Sequence, residues 1–300
     1  MNHELGLGAF ISDPAITSSY PRLLEVAEEL EMEIRRMIEH RRSTGNLGQD
    51  VLSILIQAHD ETGVGLTDDE LIAHAAVLFG AAHLTTANTL AWTLFLLAQH
   101  PEVASQLVEE LQNILHGEAP TVHQLEQLPL LDRVIKESMR VLPASAYVQR
   151  VSAEPVQVGP FQLPKGTVIV WSQFLTHHLP DLYPEPEVFR PERWLTMRPS
   201  PYAFLPFGAG PRMCLGGPLA MFTIKITLPV ILQRFGLKVV PGAAINARVI
   251  STMLTPISPI PMRILPSSSG FSYSAVEGNI HELVTLQAPV PEALELVGAL

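Results

Sequence analysis

Phe207-Gly208-Ala209-Gly210-Pro211-Arg212-Met213-Cys214-Leu215-Gly216 is the stretch on which the reading of this chain turns. Cys214 is the only cysteine. It therefore has no partner in the chain for a disulfide or a multi-cysteine metal cage, and any special role must be that of one thiolate, as nucleophile or as single metal ligand. Gly208 and Gly210 let the backbone turn tightly and come close to a flat partner. Beyond the cysteine, Leu219, Phe222, Ile226, Val230 and Leu232 recur at roughly helical spacing, which predicts a helix over residues 215–235. Pro218 falls in its first turn, where proline is tolerated, whereas Pro229 is expected to kink or end it. Cys214 would then lie at a helix N-terminus, whose dipole and free amides favour a thiolate. Arg212 adds a cation able to grip a carboxylate.

These residues resemble the haem-ligating loop of the cytochrome P450 family. That loop reads Phe, two variable residues, Gly, variable, Arg, variable, Cys, variable, Gly. Phe207, Gly210, Arg212, Cys214 and Gly216 fill its five fixed positions. The resemblance implies that Cys214 is the axial thiolate of a haem b (iron protoporphyrin IX), pushing electron density onto the iron. It also implies that Arg212 pairs with a haem propionate, and that Phe207, Gly208, Gly210 and Gly216 shape the loop.

Three further segments stand in the family's order. Lys136-Glu137-Ser138-Met139-Arg140 places Glu137 and Arg140 on one helix face; read alone, that spacing is an ordinary surface ion pair. Phe189-Arg190-Pro191-Glu192-Arg193-Trp194 resembles the segment upstream of the cysteine loop. The family implies a buried network of Glu137, Arg140 and Arg193, serving stability and not catalysis. Arg150, in the strand-like run around Gln149, matches a position that often reaches the second propionate. Thr176-His177-His178-Leu179-Pro180 resembles a His-Arg-Asp-Pro stretch with Leu179 in place of Asp. The two adjacent histidines are not expected to share a metal, because neighbours on an extended chain point to opposite faces.

Residues 75–98 contain no charged side chain. A capping box of Thr67 and Glu70 precedes them, and His100-Pro101 follows. By length and polarity the segment is a transmembrane candidate. His83, Thr85, Thr86 and Asn88 in its middle, and the lack of a Lys/Arg cluster at its ends, argue against that. The family offers a buried central helix over the haem instead. Its oxygen-side motif aligns with Ala81, Ala82, His83, Leu84, Thr85 and Thr86, which implies that Thr85 handles bound oxygen. Leu84 replaces the usual acid and cannot relay a proton, and Ala82 replaces a glycine.

The chain has 300 residues, is 47 % hydrophobic and carries a formal net charge of −11. It can bury a substantial core, and its acidity argues against nucleic-acid binding, which needs clustered cations. One cysteine fits a reducing compartment, and no signal peptide is visible in residues 1–20. The location expected is cytoplasmic, with membrane association left open. Helices are predicted at 22–42, 49–61, 67–99, 101–115, 122–128 and 129–141, besides 215–235. Strands are predicted at 148–152, 156–158, 168–172 and 237–240, with an irregular meander at 176–211. Leu24, Ala27, Leu30, Ile34, Met37 and Ile38 form one apolar face of the first helix, read as core packing.

The fold expected is mainly α (α+β), a cytochrome P450-like helical haem domain with small β-sheets. It would be partial, over residues 1–265, and would lack the family's N-terminal part. Residues 266–300 read as a linker and a tail, docked or disordered, with a short helix possible at 291–297. The activity implied is haem-thiolate monooxygenation: one oxygen atom from O2 enters a small apolar organic substrate, with electrons from a ferredoxin or flavin reductase. The alternatives are a non-catalytic fragment binding haem weakly or not at all, and a peroxide-dependent or rearranging haem-thiolate enzyme.

Overall fold

A computed structural model describes residues 19–45 and 47–286. The helix expected at 291–297 lies outside the described residues. The chain divides into two compact units, Met1–Leu84 and Thr85–Leu300.

In the first unit, helices α1 (Ser19–Thr44) and α2 (Val51–Gln57) precede α3 (Asp68–Gln99), which runs past the end of the unit. Ile34, Ile38, Leu71 and Ile72 form its buried centre, with Leu30, Leu52 and Leu55 packed around them. The apolar face of α1 is therefore only partly used: Leu24 and Met37 remain about half exposed. The capping box forms: Thr67 N–H donates to Glu70 at 2.8 Å, and Glu70 N–H donates to the Thr67 hydroxyl at 3.3 Å.

The second unit holds the rest of α3, then α4 (Pro101–Leu115), α5 (Pro129–Val141), α6 (Gln173–His177) and α7 (Gly217–Leu232). Four two-stranded antiparallel sheets complete the described residues. They pair β1 (Val148–Val151) with β4 (Val168–Trp171) and β2 (Val156–Val158) with β3 (Phe161–Leu163). They also pair β5 (Phe235–Val239) with β8 (Met262–Pro266) and β6 (Ala247–Ile250) with β7 (Met253–Pro256). Ala104, Leu107, Leu111 and Leu115 put one stripe of α4 into the core. The Glu110 carboxylate on that helix accepts the Leu130 and Leu131 N–H groups at 2.8 and 3.0 Å. It thereby satisfies two orphan donors at the start of α5 and opposes the helix dipole with a negative charge. The last turns of α3 are anchored by Thr93, whose hydroxyl meets Ser138 of α5 at 2.7 Å, and by Trp92, whose indole N–H donates to Leu254 O at 3.2 Å.

Several expectations from the sequence change. Residues 122–127 form a 3-10 turn, not an α-helix. Helix α6, strands β3 and β8 and the pair β6–β7 were not foreseen, being only three to five residues long. Pro229 does not stop α7, which continues to Leu232, one turn from its end, where few hydrogen bonds remain to lose. The helix begins at Gly217, so Cys214 stands three residues ahead of it and outside its first turn.

Residues 271–286 pack on the second unit. Val276, Ile280 and Val284 belong to its buried core. The Asn279 amide closes two bonds to Ala247, accepting from its N–H and donating to its carbonyl, each at 2.8 Å. Gly278 has φ +104°, and a methyl group there would lie 2.4 Å from Ile245 O, so only glycine fits. Thr285 N–H donates to Glu187 O at 2.9 Å, tying this segment to the loop described next.

Candidate functional site

The turn that presents Cys214 is built by its glycines. Gly208 and Gly210 have φ of +71° and +72°, the left-handed region that disfavours other residues. They fold the chain so that Cys214 N–H donates to Phe207 O at 2.8 Å. Residues Gly210–Arg212 make a single 3-10 turn. The Phe207 ring packs where a methyl on Gly217 would come within 3.3 Å, so a small residue at 217 lets the ring rest on the start of α7. Gly216 differs from the others. Its φ is −78°, and a methyl there would meet only Cys214 Sγ, at 3.8 Å. Neither backbone angle nor packing within the chain demands glycine at 216.

Cys214 is free and exposed. Its neighbours are bare apolar surface: Leu215 is 90 % exposed, Met213 61 % and Leu219 59 %. Covering one such side chain is worth about 1.5–3 kcal/mol, so this turn gains by burying itself against an apolar partner. Arg212 is exposed and forms no ion pair with the described residues. An accessible thiol, an apolar apron and an uncommitted guanidinium fit a haem, which is flat, apolar in its body and anionic at one edge. Arg150 stands apart on β1. Its guanidinium donates to Gln149 O at 2.7 Å and lies 5.5 Å from the centre of the Trp171 ring. Thr85 is half-buried in α3, and its carbonyl accepts the Thr89 hydroxyl at 3.0 Å. Leu84 before it is half-buried and His83 is exposed.

The Glu137 network is the most closely bonded part of this unit. The Glu137 carboxylate accepts five hydrogen bonds. Arg140 supplies two, from Nε at 3.0 Å and Nη2 at 2.9 Å. Arg193 Nε adds one at 2.8 Å, Trp194 Nε1 one at 2.9 Å and the Arg190 N–H one at 3.0 Å. Glu137 and Arg140 side chains are fully buried and that of Arg193 is 3 % exposed. Two guanidiniums face one carboxylate, so a net positive charge is buried. Backbone carbonyls offset it: Arg140 donates to His177, Pro186 and Val188, and Arg193 to Pro184, Glu185 and Val188. The surface-pair reading of Glu137 and Arg140 is thus overturned, and the network expected from the resemblance is present. Sequence spacing missed the loop 184–188, which bends through Glu185 at φ +50° to aim its carbonyls inward.

His177 is a residue whose part was not read from the sequence. It is fully buried, and its Nε2 accepts the Leu205 N–H at 2.8 Å, two residues before the cysteine turn. That bond holds the proton on Nδ1. His177 and Trp194 both flank Phe204, at 5.4 and 4.6 Å between ring centres. The buried network and the cysteine turn are therefore joined through residues 203–207. His178 stacks on Phe174 at 4.1 Å, and no cluster of metal-ligating side chains occurs among the described residues.

Burial pushes the His177 pKa down to about 3, with the positive Arg140 and His178 adding to it. The ordinary value is 6.5. Between these two values the unfolded chain binds a proton that the folded chain refuses. Stability is therefore complete above pH 6.5 and falls as pH drops, by about 1.4 kcal/mol per unit. Burial also lowers His100 and His178, which act in the same direction. Urea midpoints measured from pH 7 to pH 5 are expected to fall, and to fall less steeply in His177→Gln, whose amide oxygen can keep the Leu205 bond. An unchanged slope in that variant would contradict this assignment.

The family model described as Cytochrome P450 matches residues 2–263. Cyclooctat-9-en-7-ol 5-monooxygenase of Streptomyces melanosporofaciens is 39 % identical over 228 residues, covering 75 % of this chain and 48 % of the relative. Cytochrome P450 3A29 of Sus scrofa is 34 % identical over 243 residues, covering 78 % and 48 %. A solved structure of retinoic acid-bound cyanobacterial CYP120A1 superposes with a TM-score of 0.81 at 27 % identity, covering 88 % of this chain and 62 % of the other. The chain belongs to the cytochrome P450 family, a family of haem proteins that use O2. It spans about half the length of the curated relatives it matches. Helix α3 is long and apolar enough to cross a membrane by length and composition, with 11 % of its most apolar window buried. The buried central helix expected from the resemblance is therefore not found over that window, although Trp92, Phe95, Leu96 and Leu97 near its C-terminus are buried.

Proposed function

We propose that this chain is the haem-binding part of a monooxygenase that inserts one oxygen atom from O2 into a small apolar organic substrate. The observation that carries the proposal is the free Cys214 thiol on its glycine-built turn. In this role Cys214 ligates the iron of a haem b, and Arg212 neutralises a propionate. Arg150 takes the second propionate after leaving Gln149 O. Phe207, Gly208 and Gly210 fix the turn, while Gly216 keeps the space beside the thiol open for a flat ring. Thr85 offers a hydroxyl on the oxygen side. When bound, the haem supplies the redox chemistry; the chain supplies the ligand, the orientation and the apolar surroundings. Electrons would come from a ferredoxin or flavin reductase, in a reducing, cytoplasmic setting. Residues 1–265 would form the partial P450 domain, and 266–300 an extension of it.

Leu84 favours a second reading. A leucine at the position of the usual acid carries no proton, so a peroxide-dependent or rearranging enzyme would fit that position better. Reconstitution of the purified chain with hemin, followed by turnover of an apolar test substrate, separates the two. Product formed with reductase and O2, and not with peroxide alone, supports the monooxygenase. Product with peroxide alone supports the second reading. Failure to take up hemin under reducing conditions defeats both and leaves a non-catalytic fragment.

A further inference from the structure

Helix α5 and residues 191–204 line an open hollow of about 540 Å³. Its lining is part aromatic and apolar, from Trp194, Phe204 and Leu195, and part charged, from Asp132, Arg133, Lys136 and Arg198. Asp132 is already neutralised twice, by Lys136 and by Lys225 of α7, each at 2.6 Å. Burial raises its carboxyl pKa, but the two lysine hydrogen bonds outweigh that and leave it below the ordinary value. Asp132 is therefore not available to the arginines. Among the described residues no carboxylate pairs with Arg133 or Arg198. Arg133 Nε is buried without any hydrogen-bond partner. Arg198 is held in place through Nη1, which donates to the carbonyls of Trp194, Leu195 and Met197 at 2.9, 3.5 and 2.7 Å. Its Nε and Nη2 make no hydrogen bond among the described residues.

A cationic hollow of this kind is out of character for a chain of net charge −11. With no carboxylate partner among the described residues, the Arg133 and Arg198 guanidiniums leave their charge for a bound anion to meet. The volume lies in the range of small-molecule sites. We propose that this cavity binds a small amphipathic anion, an aromatic ring carrying a phosphate or carboxylate. The ring rests against Trp194 and Phe204, and the anionic group takes the donors of Arg133 and Arg198. The site is separate from Cys214, and its occupant touches the network through Trp194, whose indole N–H holds Glu137.

The test is calorimetric titration of the full chain with phenyl phosphate, followed in parallel by tryptophan emission. Saturable binding that weakens as salt rises is expected. Arg133→Met is expected to weaken it about tenfold or more, the loss of one charge-assisted contact, with the urea midpoint not lowered, because its Nε makes no bond in the folded chain. Leu195→Trp, which fills the cavity from its exposed rim, should abolish binding without touching any cation. Inorganic phosphate, lacking the ring, and benzyl alcohol, lacking the charge, should each bind far more weakly. The proposal is overturned if phenyl phosphate fails to saturate in the millimolar range. It is equally overturned if both variants bind it as the parent does, or if either control compound matches its affinity.

Discussion

Replacing Glu137 with alanine is expected to unfold or nearly unfold the chain. The substitution leaves Arg140, fully buried, and Arg193, 3 % exposed, with no carboxylate between them. It also strands the Trp194 indole N–H and the Arg190 N–H. Breaking a buried pair from one side typically costs about 3–5 kcal/mol, because the remaining charge stays desolvated. Here two charges remain, against a total stability that for most domains is about 5–15 kcal/mol. Glu137→Gln keeps one carbonyl acceptor but turns an amide donor toward a guanidinium, so its loss should be smaller yet still large. Urea denaturation of the apo chain, read by far-UV circular dichroism, measures both. A loss under about 1 kcal/mol for the alanine variant would mean that water relieves the arginines, and the network would then contribute little.

Cys214→Ala should do the opposite. Its side chain is exposed and holds nothing in the folded chain, so the apo urea midpoint should move by no more than about 0.5 kcal/mol. Hemin binding should suffer severely. Loss of outer-shell partners alone costs metal sites roughly 10–100-fold, and removal of the ligand itself is expected to cost at least that. The reduced, carbon monoxide-treated parent should give a thiolate-type spectrum that the variant lacks. If the variant binds hemin as tightly and gives the same spectrum, sulfur is not the ligand and the proposed function falls. Glu137→Ala thus tests whether this carboxylate governs folding, and Cys214→Ala whether this thiol holds the haem.

The cysteine turn was legible from residue order because its information is local. Two left-handed glycines, an arginine and a thiol lie within a few residues, and their backbone requirements do not depend on distant partners. The long helices were legible for the same reason: α1 and α7 through apolar spacing, and α3 through its uncharged run and the Thr67–Glu70 box. Among the short elements β1, β2, β4 and β5 were expected, whereas β3, β6, β7, β8 and α6 were not. A three-residue strand such as β3 has no period to detect, and it exists only because β2 lies beside it. Residues 271–286 gave no sign of their place, since Asn279 has meaning only opposite Ala247, 32 positions away. His177 could be seen as part of a motif but not as the acceptor for Leu205, because that bond closes across 28 residues. Arg133 and Arg198 looked like any solvated cations until tertiary packing set them around one cavity.

Sequence alone determined the family, the order of its segments and the thiol at its centre, because those rest on residue identity at fixed local spacing. The resemblance already implied Arg193 as a partner of Glu137; only the tertiary structure added Trp194 and the Arg190 N–H, from more than fifty residues away. The physical reason is that a buried charge is stable only when several separate segments converge on it, and convergence is a property of the fold and not of any stretch of chain.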